Sequence, residues 1–102
     1  MSFEIVLRSK AQIDLDEIFV WYEGQKPDLG YDFINEFESS LHKIGQNPYH
    51  ASYFFKEGRS LSLKRFPYQI IYKIDAANEQ IRILAIIHHS RNPELRRKRL
   101  EE

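Results

Sequence analysis

Two imidazoles and a guanidinium lie close together near the end of the chain, where His88, His89 and Arg91 follow an apolar run. A strand that ends in polar side chains presents them at the edge of a rigid scaffold, where binding and catalytic groups are often found. Histidine exchanges protons near neutral pH, and a guanidinium binds phosphate or carboxylate through two parallel hydrogen bonds. This strand end is therefore the first candidate site.

His88, Arg91 and Arg65 together would suit metal-independent RNA cleavage. The histidine would act as acid or base, and the two arginines would stabilise the charge of the transition state. The structural alternative treats Arg59 and Arg65 as ordinary solvated strand-edge charges, the nearby aromatic residues as core and His88 as a packed, hydrogen-bonded side chain. Composition alone favours this alternative.

Motifs for metal, phosphate and nucleophile chemistry do not occur in the sequence. His88 and His89 are adjacent, so on a strand they point to opposite faces and do not bind one ion together. His42 and His50 lie far away, without a carboxylate at a supporting spacing. The four glycines are scattered, and no serine stands in a nucleophile elbow. We expect neither a metal nor a cofactor.

A formal net charge of zero conceals an asymmetry along the chain. Residues 1–50 carry four Lys and Arg against nine Asp and Glu, whereas residues 51–102 carry eleven against six. The second half therefore predicts a basic surface suited to nucleic acid or an acidic partner, unless the charges cancel across the fold. Its main cations are Arg59, Lys64, Arg65, Arg91, Arg96, Arg97, Lys98 and Arg99.

Length and composition predict one domain spanning residues 1–102, with a single hydrophobic core. The chain has no cysteine, which excludes disulfides and favours a cytoplasmic location. No apolar run approaches the ~20 residues needed to cross a bilayer, and the first residues lack a secretory pattern. We therefore expect no membrane association.

The first half predicts one strand followed by two helices. Alternating apolar residues indicate a strand over residues 3–8. Ser9 and Gln12 have the spacing of a capping box, so a first helix should begin there and end near Gly24. Pro27 suits the first position of a second helix that ends near Pro48. The apolar stripe of this second helix is Phe33, Ile34, Phe37, Leu41 and Ile44.

The second half predicts a sheet. Residues 49–58 are irregular, which indicates a loop or an uneven approach to a strand. Residues 59–63, 68–74 and 80–87 have strand patterns, and short turns join them into a three-stranded antiparallel meander. The predicted class is α+β, with the order β-α-α-β-β-β, in which an N-terminal strand and an antiparallel helical hairpin precede the meander.

One ordered set of residues spans nearly the whole chain. It comprises Ala11, Asp14, Leu15, Ile18, Tyr22, Phe33, Pro48 and Arg59, then Phe66-Pro67-Tyr68-Gln69-Ile70-Ile71-Tyr72, and the ending His88-x-x-Arg91-x-Pro93. This set resembles the RelE/ParE toxin superfamily, whose small antiparallel sheet and N-terminal helical hairpin agree with the predicted elements. The resemblance implies a toxin of a bacterial type II toxin–antitoxin operon, a plasmid stabilisation system, held inactive by a co-encoded antitoxin.

Two activities divide this superfamily, and the chain matches one of them better. RelE-like members cut mRNA in the ribosomal A site with basic residues on two strands, an arginine after the last strand and a C-terminal tyrosine. The strand positions fall at Ser60, Ser62 and Gln69, and no tyrosine follows Tyr72, so only Arg91 matches. ParE-like members poison DNA gyrase and lack this set, so the chain resembles them more closely.

The leading interpretation is therefore a ParE-like toxin that inhibits DNA gyrase and is not an enzyme. One alternative is a RelE-like mRNA endoribonuclease that acts on the ribosome through His88, Arg91 and Arg65 without metal. Another is a non-toxic co-repressor that binds the antitoxin. Gyrase contacts are predicted at Arg91, Arg96, Arg97, Arg99 and Arg59.

The antitoxin is the principal partner that the resemblance implies. An antitoxin tail would lie in a groove or add to a sheet edge, which points to the aromatic run Tyr53, Phe54 and Phe55 or to the apolar rim of the helical hairpin. The other interpretation makes these aromatic residues ordinary core. Operator DNA would be bound only indirectly, through the antitoxin.

Overall fold

The computed structural model describes residues 3–90 and 93–100, apart from the side chains of Phe54, Phe55, Pro93, Leu95 and Arg96. A strand and two helices come first, four strands follow, and a short helix ends the described chain. These elements are β1 (Glu4–Leu7), α1 (Ser9–Gln25), α2 (Leu29–Gln46), β2 (Ser52–Phe55), β3 (Gly58–Ser62), β4 (Tyr68–Asp75), β5 (Gln80–His88) and α3 (Pro93–Leu100). The predicted α+β class is confirmed.

The strands form one sheet in the order β1-β5-β4-β3-β2. β2 to β5 pair antiparallel, as the meander predicts, while β1 pairs parallel with β5. β1 reaches only residues 80–83 of β5. In the described part of the chain, residues 84–88 of β5 therefore have no strand on their outer side.

Two elements are absent from the prediction. Residues 49–58 contain the edge strand β2, and its pairing with β3 is irregular between Tyr53 and Phe55. This irregularity breaks the two-residue alternation that identifies a strand, so the sequence pattern resembles a loop. The basic segment after β5 forms α3, which sequence patterning missed because it has no apolar stripe of helical spacing.

The helix starts also differ from the prediction. Arg8, not Ser9, is the N-cap of α1, and no side-chain cap bond forms there. The predicted capping box is wrong, because the Gln12 amide donates to Asp16 at 2.9 Å instead. α2 begins at Leu29 and not at Pro27, since Asp28 takes up the left-handed conformation, with φ 72°, that reverses the chain between the helices.

Each face of the sheet carries its own apolar cluster. The predicted stripe of α2 packs on one face, where Phe33, Phe37 and Ile44 are buried. The helices of the hairpin approach closely at Gly30, where a Cβ would lie only 2.8 Å from the carbonyl oxygen of Phe19. On the other face, α3 inserts Leu100 into a smaller cluster that contains Ile71, Leu84, Ala85 and Ile87. None of the described helices is long and apolar enough to cross a lipid bilayer.

Candidate functional site

His88 is the last residue of β5 and lies opposite Tyr68, the first residue of β4. Its ring meets the Tyr68 ring edge to face, with 5.1 Å between centroids. Nδ1 accepts a hydrogen bond from the backbone N–H of Ser90 at 3.0 Å and lies 2.8 Å from the Ser90 hydroxyl oxygen. A backbone N–H only donates, so Nδ1 is the acceptor in this contact.

A groove of about 720 Å³ runs beside this strand end. Its floor is the part of β5 that β1 does not cover, and α1 forms one wall. Burial raises the pKa of Tyr22 in this groove, and interactions with Tyr68 raise it further, so the Tyr22 phenol stays protonated at neutral pH. The lining residues are Asp14, Glu17, Ile18, Trp21, Tyr22, Pro67, Tyr68, Ile86, Ile87, His88 and Arg99.

Arg65 lies in the loop between β3 and β4, at the same end of the sheet as His88. The end of β5 and this loop are in direct contact, because His89 donates its backbone N–H to the carbonyl of Pro67 at 2.9 Å. Arg65 is 64% exposed, and its guanidinium lies 3.8 Å from the Asp32 carboxylate and 5.6 Å from the ring centroid of Phe66. Glu36 of α2 accepts hydrogen bonds from the backbone N–H groups of Lys64 and Arg65 and so holds the loop in place.

Arg59 lies away from this end of the sheet and is only 7% exposed. Its Nη1 donates to the carbonyls of Tyr49 at 3.0 Å and Ala51 at 2.6 Å. The guanidinium carbon also lies 4.0 Å from the ring centroid of Tyr53 and 5.4 Å from that of Tyr49. The arginine thereby fastens the segment before β2 to β3, and its charge does not face solvent.

The face of the sheet that α3 covers carries the three neutral positions singled out in the sequence. Ser62 of β3 pairs with Gln69 of β4, and Ser60 pairs with Ile71, so the three polar side chains share that face. Gln69 Oε1 is buried there and has no hydrogen-bond partner among the described residues. This face offers hydroxyl and amide groups but no charge at these positions.

The predicted target-binding arginines of α3 occupy different environments. Arg97 is 51% exposed and pairs with Glu94 at 3.2 Å. Arg99 is only 13% exposed and forms an ion pair with Asp14 of α1 at 2.8 Å. Lys98, between them, is exposed. The predictions on Arg91 and on the side chain of Arg96 lie outside the described residues.

Of the three aromatic residues assigned to antitoxin binding, only the Tyr53 side chain lies within the described part of the chain. It is 64% exposed on the edge strand β2, so it is not core. The side chains of Phe54 and Phe55 lie outside that part. Among residues 3–90 and 93–100, no three His, Asp or Glu side chains converge on a point that would hold a metal ion.

Neither Asp14 nor Glu36 was among the predicted site residues, yet each holds a backbone segment that carries such residues. Asp14 lies three residues after Ala11 and four before Ile18, both of which are buried. A carboxylate on the core-facing side of a helix needs a buried partner, and this spacing is the signal that would have identified it. Glu36 gave no comparable signal, because its partners are backbone groups of a distant loop.

These features define a small α+β domain with a helical hairpin on one sheet face, a basic helix on the other and an exposed sheet edge. The chain matches a family model described as the ParE toxin of type II toxin-antitoxin system, parDE, over residues 5–93. The protein therefore belongs to the ParE toxin family of type II toxin–antitoxin systems. No curated protein matches it significantly.

Solved structures with the same fold include toxins of both branches of the superfamily. A chain of the chromosomal ParDE system from P. aeruginosa aligns with a TM-score of 0.74 and 20% identity, over 84% of this chain and 95% of that chain. The toxin-antitoxin complex RelBE2 of Mycobacterium tuberculosis aligns with a TM-score of 0.60 and 16% identity, over 86% of this chain and 99% of that chain. The isolated E. coli RelE toxin aligns with a TM-score of 0.66 and 9% identity, over 97% of each chain.

Proposed function

We propose that this protein is a ParE-like toxin that inhibits DNA gyrase through the basic helix α3. The observation that carries the choice over mRNA cleavage is the neutral sheet face, where Ser60, Ser62 and Gln69 stand at the positions that are basic in RelE-like members. A face without these charges lacks the groups that would stabilise a phosphorane-like transition state. Membership of the ParE family supports the same choice.

In this proposal the target contact is made by the exposed cations of the C-terminal segment. Arg97 and Lys98 project from the last turn of α3, and Arg91 and Arg96 belong to the same basic stretch of sequence. Arg59 and Arg99 instead serve the fold, because both guanidinium groups are buried against carbonyl or carboxylate oxygens. Cations buried in this way are bound to oxygens inside the fold and leave little charge for a partner.

The proposal includes a co-encoded antitoxin that neutralises the toxin in the bacterial cytoplasm and links it to operator DNA. The edge strand β2 supports a strand-addition contact, since β3 is its only neighbour among the strands that the structure describes. Tyr53 stands on this strand with its ring already fixed against the Arg59 guanidinium. Such a preorganised, exposed aromatic side chain is a suitable anchor for a partner.

A supercoiling assay with purified gyrase tests the proposed activity. The wild-type toxin should block supercoiling and accumulate cleaved DNA complexes. Lys98→Glu should weaken inhibition about threefold to tenfold, the size expected for reversing one exposed charge at an interface. Lys26→Glu, an equal charge change at an exposed residue between α1 and α2, is the matched control and should retain full potency. Normal supercoiling with excess wild-type toxin would reject the proposal.

A further inference from the structure

Helix α3 is held to the rest of the protein by its last turn. It contains only eight residues, too few for a helix that is stable on its own in water. Leu100 is 1% exposed and packs against Gly58 and the apolar cluster on that sheet face. Arg99, the residue before it, reaches past β5 to the helical hairpin. The direction of α3 therefore depends on these two neighbouring anchors.

The partner of Arg99 is Asp14, and the pair is almost closed to solvent, with side chains 13% and 17% exposed. Asp14 accepts from Arg99 through both carboxylate oxygens, at 2.8 and 3.2 Å. Arg99 Nη2 also donates to the Leu84 carbonyl at 3.0 Å, and Asp14 Oδ2 accepts from the Ile86 N–H at 3.0 Å. The ion pair thus provides hydrogen-bond partners for backbone groups of β5 just beyond the point where β1 ends.

We propose that Asp14 is a positioning residue for the basic helix. A two-pronged contact between a planar guanidinium and a carboxylate fixes direction as well as distance. Because Arg99 is held this way, the exposed cations Arg97 and Lys98 project from a helix of fixed orientation. This inference rests on the proposed function for the identity of the target, and on the geometry alone for the docking of α3.

The experiment compares Asp14→Asn with Asp14→Glu and with a matched control. Asparagine has one accepting oxygen, so its NH₂ group faces an N–H of Arg99, and the Arg99 charge is left buried without its counter-ion. Asp16→Asn makes the same charge change two residues away on α1, where Asp16 is exposed and accepts a hydrogen bond from Gln12. Circular dichroism first establishes that each variant is folded. If Asp14→Asn does not fold, Arg99→Lys replaces it, since lysine keeps the charge but loses the planar fork.

Limited trypsin digestion measures the opening of α3 directly, because trypsin cleaves after arginine and lysine and the helix is rich in both. Asp14→Asn should raise the rate of cleavage within α3 about tenfold or more, as expected when an anchored segment opens locally. Asp16→Asn should match the wild-type protein, and Asp14→Glu should restore most of the protection. Equal cleavage rates in wild type and Asp14→Asn, or equal acceleration in Asp16→Asn, would overturn the inference.

Gyrase inhibition is the second readout and separates this inference from the proposed function. Asp14→Asn should lose potency although neither Arg97 nor Lys98 has changed, and Asp14→Glu should regain it. Full potency in Asp14→Asn with an opened α3 would overturn the positioning role. If wild-type toxin fails to inhibit gyrase, the proposed function is wrong, while the trypsin comparison still decides whether Asp14 positions α3.

Discussion

Ser62 of β3 lies directly opposite Gln69 of β4 in the antiparallel ladder, and neither side chain carries a charge. Ser60 lies two residues along the same strand and therefore on the same face. The superfamily resemblance implies basic side chains at these three positions in ribosome-dependent nucleases. Their joint replacement by hydroxyl and amide groups on one surface is the clearest distinction between the two candidate activities.

We expect no mRNA cleavage by this protein on the ribosome. Primer extension on ribosome-bound message should give the same pattern for wild-type protein, His88→Ala and Arg65→Ala, because the neutral face lacks the groups that cleavage needs. A ribosome-dependent mRNA endoribonuclease is a suitable positive control for the assay. Cuts within A-site codons that disappear in His88→Ala would instead establish the endoribonuclease alternative.

The second prediction concerns the antitoxin contact at β2. Tyr53→Ala should weaken antitoxin binding about tenfold or more, because truncating an exposed aromatic anchor at an interface removes roughly 1–2 kcal/mol or more. Isothermal titration calorimetry with the purified antitoxin measures the change. Tyr31→Ala removes a tyrosine of similar exposure, 57% against 64%, from α2 and is the control. Equal affinity of both variants and the wild type would exclude β2 from the interface.

Two glycines give opposite predictions when each is replaced by alanine. At Gly58 a Cβ would lie 2.5 Å from the Leu100 side chain, so Gly58→Ala should push Leu100 out and lower unfolding free energy by about 1–3 kcal/mol. At Gly24, inside α1, the new Cβ would meet no described atom within 4 Å apart from its chain neighbours and the adjacent helix backbone. Gly24→Ala should therefore stabilise the protein by about 0.5–1 kcal/mol.

Urea unfolding measures both changes, and amide hydrogen exchange shows where the Gly58 effect falls. Loss of protection should be concentrated in α3, since Leu100 is its apolar anchor. A Gly58→Ala protein with wild-type stability and a protected α3 would contradict the packing described here.

The fourth prediction is an alkaline loss of stability that depends on Tyr72. Its hydroxyl donates to the Pro48 carbonyl at 2.7 Å, and burial raises the pKa of the phenol, an effect that Arg59 partly offsets. A raised pKa in the folded state leaves stability intact below the ordinary value near ~10, and stability falls as pH rises through the folded pKa.

Tyr72→Phe removes both the hydrogen bond to the Pro48 carbonyl and the phenol with the raised pKa. It should lower the unfolding free energy at neutral pH by about 1 kcal/mol, through the lost hydrogen bond, and should make stability less dependent on pH above ~10. Tyr31→Phe, at an exposed tyrosine, is the control. Thermal unfolding followed between neutral and alkaline pH measures the difference. An unchanged alkaline slope in Tyr72→Phe would show that another group controls it.

Local patterning predicted the elements that follow a regular period. The stripe from Phe33 to Ile44 gave α2 and its buried face, because every third or fourth residue of a helix points the same way. The alternation of side chains along a strand predicted β3, β4 and β5 to within two residues at each end. The order of these elements, together with the motif residues, was enough to identify the α+β fold and its resemblance to the toxin superfamily.

Elements without such a period were missed. β2 has an irregular register with β3, and α3 is a run of charges that becomes a helix because Leu100 and Arg99 dock on distant residues. The parallel pairing of β1 with β5 joins residues more than seventy positions apart, which no local pattern encodes. These features depend on contacts between segments that are remote in sequence.

The sequence by itself determined which residue types are present: neutral side chains at Ser60, Ser62 and Gln69, and a cluster of arginines at the C-terminal end. Only the tertiary structure decided which of those arginines face solvent. Arg59 and Arg99 are identical in type to Arg97, but the first two are buried against carbonyl and carboxylate oxygens, whereas Arg97 is half exposed. Burial is a property of the packed chain, because it depends on which distant segments cover a side chain.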